Sequence, residues 1–239
     1  MPREHGTWFI VGASVLLGPA VTHLVHLDHL PLASLAVVGL FGRAALKGKR
    51  PADHLWAVIF AAVGLVLGGL LLARHADALM AMSGAAAAVL LGAHRLLESR
   101  RLQRAIGSEL VAVALLTLVG PASLSISGLQ ATGDTLALAA ANSAYFLTSV
   151  PYVRIRVFGP RKPAIWRRLR FLPITLAAAG AAAMALSGPP ARALAFLPLA
   201  ARALFVALSC PRPLGSATRL GLVEAAGSLY YVAVIAVLH

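Results

Sequence analysis

Five residues with spacings of 3, 4, 3 and 4, namely Asn142, Tyr145, Ser149, Tyr152 and Arg156, interrupt an otherwise apolar stretch of this chain. That spacing places all five on one face of a helix. Pro151 is expected to kink or end that helix near Tyr152. A polar face among lipid tails must meet other helices, water or a ligand. The stripe therefore fits two roles: hydrogen bonding between helices, or the wall of a cavity. In the second role Arg154 and Arg156 would guard the entrance and meet an anionic head group. Two carboxylates, Glu109 and Glu224, also stand inside apolar runs, where ionisable groups are costly and face the protein interior. Each needs a partner, with Arg101, Arg104, Arg219 or the tyrosines as candidates. Glu224 shares a helical face with Ser228 at i+4 and Tyr231 at i+7. Ion pairing and membership of a site both remain open for these acids.

Two further groups contain histidine. In Pro2-Arg3-Glu4-His5-Gly6-Thr7-Trp8 a carboxylate adjoins an imidazole just before the first apolar run. Such a pair supports proton transfer near neutral pH, so Glu4 and His5 are the candidate acid and base, with Tyr145 as a third. The alternative is an interfacial anchor built on Trp8. His23, His26, Asp28 and His29 have the donor types of a metal site, with haem ligation as a further use. They lie at the far end of the first run, where interfacial polar groups are common, and no metal is assigned to them. His54, His75, His94 and His239 stand at run ends as interfacial groups.

The elements that must position these residues are membrane spans. With 59% hydrophobic and 12% charged residues in 239, the composition argues against a soluble domain. Nine apolar stretches can be drawn, at 8–25, 31–46, 55–73, 76–94, 105–123, 134–153, 171–187, 190–210 and 219–238. A span crossing the hydrocarbon needs about 20 residues, so nine spans use the whole chain. The expected fold is a single all-α polytopic bundle over residues 1–239. Of 21 Lys and Arg, 18 lie at the N-terminus or in every second connection. The positive-inside rule then puts the N-terminus in the cytoplasm and the C-terminus outside. The net charge of +13 is assigned to topology and anionic lipid, not to nucleic acid. The first run is read as a retained span, not a cleaved signal, because Glu4 and His5 suit a signal segment poorly. The lone Cys210 can form no disulfide within the chain.

Local signals refine the plan. Arg74-His75-Ala76-Asp77 predicts a tight turn between the third and fourth spans, and Ser187-Gly188-Pro189-Pro190 another between the seventh and eighth. The polar stretch 154–170 predicts a short surface helix carrying Trp166. Small residues at Gly84–Ala88 and Ala177–Ala183 predict close helix contacts. No internal repeat, Walker-type loop or His-Glu-x-x-His helix is evident.

The segment Pro2-Arg3-Glu4-His5-Gly6-x-Trp8 resembles the opening of the YwiC-like family of bacterial integral membrane proteins. The Asn142–Arg156 stretch, with Ser149-Val150-Pro151-Tyr152-Val153-Arg154, is similar to the later polar segment of that family. The resemblance implies a multi-pass protein of the bacterial inner membrane and no particular reaction. More distantly, the span count resembles the UbiA-type intramembrane prenyltransferases. Those enzymes hold a prenyl diphosphate through magnesium and Asp-rich motifs after the second and sixth spans. This chain has Gly42–Arg50 and Tyr152–Arg156 there, with Asp53 the nearby acid. Fixed cations in those places point to direct binding of a phosphate or carboxylate head. The expected function is to bind or act on an anionic amphiphile, with membrane lipid as the standing partner and no cofactor assigned. A transporter of a small anion or metabolite, or a haem-associated respiratory component, are the alternatives.

Overall fold

The computed structural model describes residues 5–46, 50–100, 105–186, 188–209 and 217–239. Every regular element among them is helical: α1 (His5–Val15), α2 (Leu17–Thr22), α3 (His29–Leu46), α4 (Pro51–Arg74), α5 (Ala78–Ser99), α6 (Ile106–Thr117), α7 (Val119–Ile126), α8 (Gly133–Phe158), α9 (Pro163–Leu169), α10 (Leu172–Leu186), a 3-10 helix (Pro190–Phe196), α11 (Leu197–Leu208) and α12 (Ala217–Leu238). Among the described residues seven stretches are long and apolar enough to cross a membrane. Trp8–Thr22 and His29–Gly42 are shorter apolar helical stretches. The fold is the expected all-α polytopic bundle.

Three spans are less regular than periodicity suggests, and proline is the cause. Pro19 and Pro121 lack the N–H that would bond four residues back, which frees the carbonyls of Val15 and Thr117. The first span is interrupted at Leu16 and the fifth at Leu118. The two interruptions meet: α2 packs on α7, and α1 on both α6 and α7. Each freed carbonyl finds a donor from another helix. Ser123 Oγ donates to Val15 O and accepts from Gly18 N. Asn142 Nδ2 donates to Thr117 O at 3.4 Å and to Ser14 Oγ at 3.3 Å. The crossing needs Gly18, where a Cβ would strike the Ser123 carbonyl and the Ser127 hydroxyl, and Gly120, where it would lie 2.7 Å from Asn142 Nδ2. The eighth span opens with the 3-10 turn at Pro190–Phe196 before α11 begins.

These interruptions share a pattern, Leu16-Leu17-Gly18-Pro19-Ala20 and Leu118-Val119-Gly120-Pro121-Ala122. Each is followed by a closely packed hairpin, α3–α4 and then α8–α10, and by one more span. The stretch after the second interruption also holds α9 and a 3-10 helix that the first lacks, so the likeness is local to the two interruptions.

The turn at residues 75–77 forms as expected, with Asp77 capping α5 by accepting from Met80 N at 2.8 Å. Alternate connections gather at one end of the bundle. Asp28 joins Arg74 at 2.6 Å and His75 at 2.9 Å, and Ser125 donates to Asp77. Hydrogen bonds first from His75 and then from Arg74 hold the Asp28 carboxyl below its usual range. Arg50, Arg100 and the connection 159–162 therefore belong to the opposite end. Two details differ from expectation. Helix α8 runs on through Pro151 to Phe158. The Gly84–Ala88 run is largely exposed, and a Cβ at Gly84 would meet nothing within 4 Å, so among the described residues no close contact uses Gly84. The Ala177–Ala183 run behaves as expected, since Gly180 lies directly against Phe196.

Candidate functional site

α8 divides its polar stripe between two jobs. Asn142 is fully buried at the crossing of the interrupted helices. Ser149 Oγ donates to Phe146 O in its own helix. The next group faces α11 and α12: Tyr145 lies against Tyr231, with ring centroids 4.2 Å apart, and Tyr152 lies under the guanidinium of Arg202 at 5.4 Å. Phe146 and Phe196 stand edge-on to Tyr145 at 5.2 and 5.6 Å. Such packing fixes ring positions and adds a cation–π attraction.

Arg202 is the residue that sequence reasoning missed as part of a site. It projects from α11, a helix otherwise apolar, and its Nη1 donates to Glu224 Oε1 on α12 at 2.7 Å. Both side chains are 17% exposed. The signal was available, because an arginine inside an apolar run needs a partner at the same depth. Glu109 of α6 pairs likewise with Arg154 of α8 at 2.9 Å. The described partners of the two carboxylates are thus arginines of other helices. The side chains of Arg101, Arg104 and Arg219 lie outside the described residues, as does Glu4, and for His5 only the backbone is described.

The cluster holds more donors than acceptors. Arg202 Nε and Nη2, the Tyr145 hydroxyl and the Tyr231 hydroxyl are buried without a hydrogen-bond partner. Buried polar groups are nearly always paired, and leaving one unpaired costs about 1–3 kcal/mol. Four together mark a place that calls for an acceptor. Gly227 lies close against two of them, since a Cβ there would lie 3.0 Å from Arg202 Nη2 and 3.1 Å from the Tyr145 hydroxyl. Arg156, one turn beyond Tyr152 toward the basic end, keeps a buried Nε without a partner. It acts electrostatically on the Tyr152 hydroxyl, as do Arg202 and Glu224.

α9 covers this cluster from the basic end. Trp166 Nε1 donates to Val206 O at 2.8 Å and satisfies one of the terminal carbonyls of α11. Trp166 and Leu169 pack on Tyr152, Ile155 and Val206. Arg161, Lys162, Arg167 and Arg168 stay exposed. The short helix expected over 154–170 is therefore present, and it is tied to the span that carries Arg202.

Two other groups do not join the site. His26 and His29 stack at 6.0 Å, while Asp28 is engaged by Arg74 and His75. Among the described residues no three His, Cys, Asp or Glu side chains converge as a metal would require. A cavity of about 200 Å³ lies between α5, the α6/α7 interruption and α8. Its walls include Leu79, Met82, Leu118, Pro121 and Ser143 and are mostly apolar.

A family model described as YwiC-like protein matches residues 1–124. The matched part contains the Pro2–Trp8 segment and both interrupted spans, and ends before α8, α11 and α12. No curated protein and no solved structure matches the chain.

Proposed function

The chain belongs to the YwiC-like protein family, and from that premise we propose that this multi-pass protein binds the anionic head of an amphiphile inside the bacterial inner membrane. The observation that carries the reading is the buried cluster of Arg202, Glu224, Tyr145 and Tyr231, whose donors lack acceptors. The tail would lie among apolar helices. The head would enter from the basic end past Arg154 and Arg156, and meet Tyr145, Tyr152 and Arg202. Asn142 and the Glu109–Arg154 pair hold α8 in place for this. Should the head be transformed, Glu4, His5 and Tyr145 are the groups proposed to move a proton.

In this reading the basic end faces the cytoplasm, as the distribution of Lys and Arg supports. In a Cys210→Ser chain, a cysteine placed at Arg161 should react with an impermeant thiol reagent from the inner side only, and one at Gly188 from the outer side only. Labelling of both from one side would end the assignment. The binding reading is tested by mass spectrometry of lipids that co-purify with the protein in mild detergent. Wild type should retain one anionic species above its share of bulk lipid, and Arg156→Ala should retain it at about one tenth, the effect of losing roughly 1.4 kcal/mol of binding. Equal retention would remove Arg156 from the site.

A second reading, transport of a small anion, is favoured by one observation. Interrupted helices that cross within the bundle are a transporter feature. Flux into proteoliposomes separates the two, since binding alone moves no solute.

A further inference from the structure

The connection from Arg154 to Arg170 carries seven cations and no carboxylate. Three of the seven are engaged or turned inward. Arg154 pairs with Glu109, Arg156 lies half-buried, and Arg170 stacks on Trp166 at 5.2 Å and on Phe171 at 4.6 Å. The other four, Arg161, Lys162, Arg167 and Arg168, are exposed and have no carboxylate partner among the described residues. At the opposite end of the bundle Arg74 is also exposed, but Asp28 meets it at 2.6 Å.

α9 presents these charges on a fixed face. Trp166 and Leu169 pack inward on Tyr152, Ile155 and Val206, and Trp166 Nε1 donates to Val206 O at 2.8 Å. Ala164, Arg167, Arg168 and Phe171, at spacings of 3, 1 and 3, are left outside. A face held in this way loses little freedom when it binds something.

Depth decides what it binds. Lys162 lies four residues past Phe158, where α8 ends, and Arg168 four residues before Leu172, where α10 begins. Four residues of helix rise roughly 6 Å, and the head-group layer on each side of the hydrocarbon is about 5–7 Å deep. Both pairs of cations therefore reach head-group depth. Large apolar side chains stand open beside them: Val157, Phe158 and Phe171 are 42%, 45% and 54% exposed. Exposed cations next to exposed apolar groups suit a surface lying in the membrane interface. A soluble acidic partner would match the cations and leave the apolar groups unmatched.

We infer that the outer face of α9 and its flanks is a docking surface for anionic lipid head groups of the leaflet at the basic end, with Arg161 and Lys162 as one contact and Arg167 and Arg168 as the other. Guanidinium and ammonium groups bind phosphate oxygens directly. This surface is separate from the buried cluster behind Trp166 and does not depend on the reading proposed for that cluster.

The test uses the full chain in an uncharged detergent. Phosphatidylglycerol or phosphatidylcholine with the same tails is added, and affinities are read from lipid adducts by native mass spectrometry. Wild type should prefer phosphatidylglycerol by about tenfold or more, since each cation near an anionic surface contributes about fivefold. Arg161→Gln/Lys162→Gln and Arg167→Gln/Arg168→Gln should each cut that preference about fivefold or more. Arg167→Lys/Arg168→Lys keeps the charge and should keep most of the preference. Arg95→Gln, at an exposed cation of α5 whose partner Glu98 is 3.8 Å away, should change nothing. Equal affinity for the two lipids in wild type, or a preference that survives both Gln pairs, would overturn the inference. A loss in the Lys pair as large as in the Gln pair would trace the effect to packing and overturn the charge account. Binding of polyglutamate by wild type, lost in the Gln pairs and without any lipid preference, would replace the lipid by an acidic protein.

Discussion

Arg202→Met should be among the most destabilising single substitutions in this protein, at about 3–5 kcal/mol. The cause is the partner it leaves behind. Glu224 is 17% exposed and its described cation is Arg202 at 2.7 Å. Without that cation a carboxylate stays in an apolar bundle, next to the rings of Tyr145 and Tyr152. The double variant Arg202→Met/Glu224→Met should recover most of the loss, because replacing both members of a buried pair by apolar groups is often neutral or stabilising by roughly 1–4 kcal/mol. Denaturant unfolding in detergent micelles measures both. A single variant as stable as wild type would mean that water reaches Glu224, and the buried cluster would have to be abandoned. Recovery of stability without recovery of ligand retention would separate the pair's structural cost from its use. That outcome is expected, since Arg202 supplies the open donors as well as the ion pair.

The second large effect concerns the helix crossing. Gly18→Ala should cost about 1–3 kcal/mol, the usual range for overpacking a tight contact. Its methyl would be driven into the Ser123 carbonyl, which is helix backbone and cannot turn aside. The same shift would disturb the Ser123 hydroxyl, which serves both Gly18 N and Val15 O. Gly12→Ala, six residues earlier in the same span, has nothing within 4 Å of its added methyl. It should be neutral or more stable by up to about 1 kcal/mol, the helix preference of alanine over glycine. The two variants make a matched pair in composition and differ only in place. Equal responses would show that the first and fifth spans do not meet at their interruptions.

Much of this architecture could be read from the residues. Charge in every second gap gave the order of the spans, because the cost of moving Lys and Arg across a bilayer acts on each connection separately. The 3–4 spacing of Tyr145, Tyr152 and Arg156 gave a shared face, because helical geometry is local. The interruptions were also present in the text of the chain, as two Gly-Pro pairs at Gly18-Pro19 and Gly120-Pro121. What could not be read was which donor would meet each freed carbonyl. Ser123 reaches Val15 across 108 positions, and Asn142 reaches Thr117 across 25. Partner choice of that kind depends on packing between helices. The same limit applies to Glu224: its depth announced the need for a cation, but Arg202 on a neighbouring helix is brought to it only by the fold. The small-residue run at Gly84–Ala88 shows the reverse case. Small side chains permit a close approach, and among the described residues none is made at Gly84.

The central claim is that an anionic head group reaches the buried donors of Arg202, Tyr145 and Tyr231. An experimental density map of the protein, purified in mild detergent with its co-purifying lipid, tests it most directly. The account predicts head-group density within hydrogen-bond distance of Arg202 Nη2 and the Tyr145 hydroxyl, with a tail leading out between apolar helices. Water alone on those two donors, with lipid density confined to the apolar cavity between α5 and α8, would contradict it.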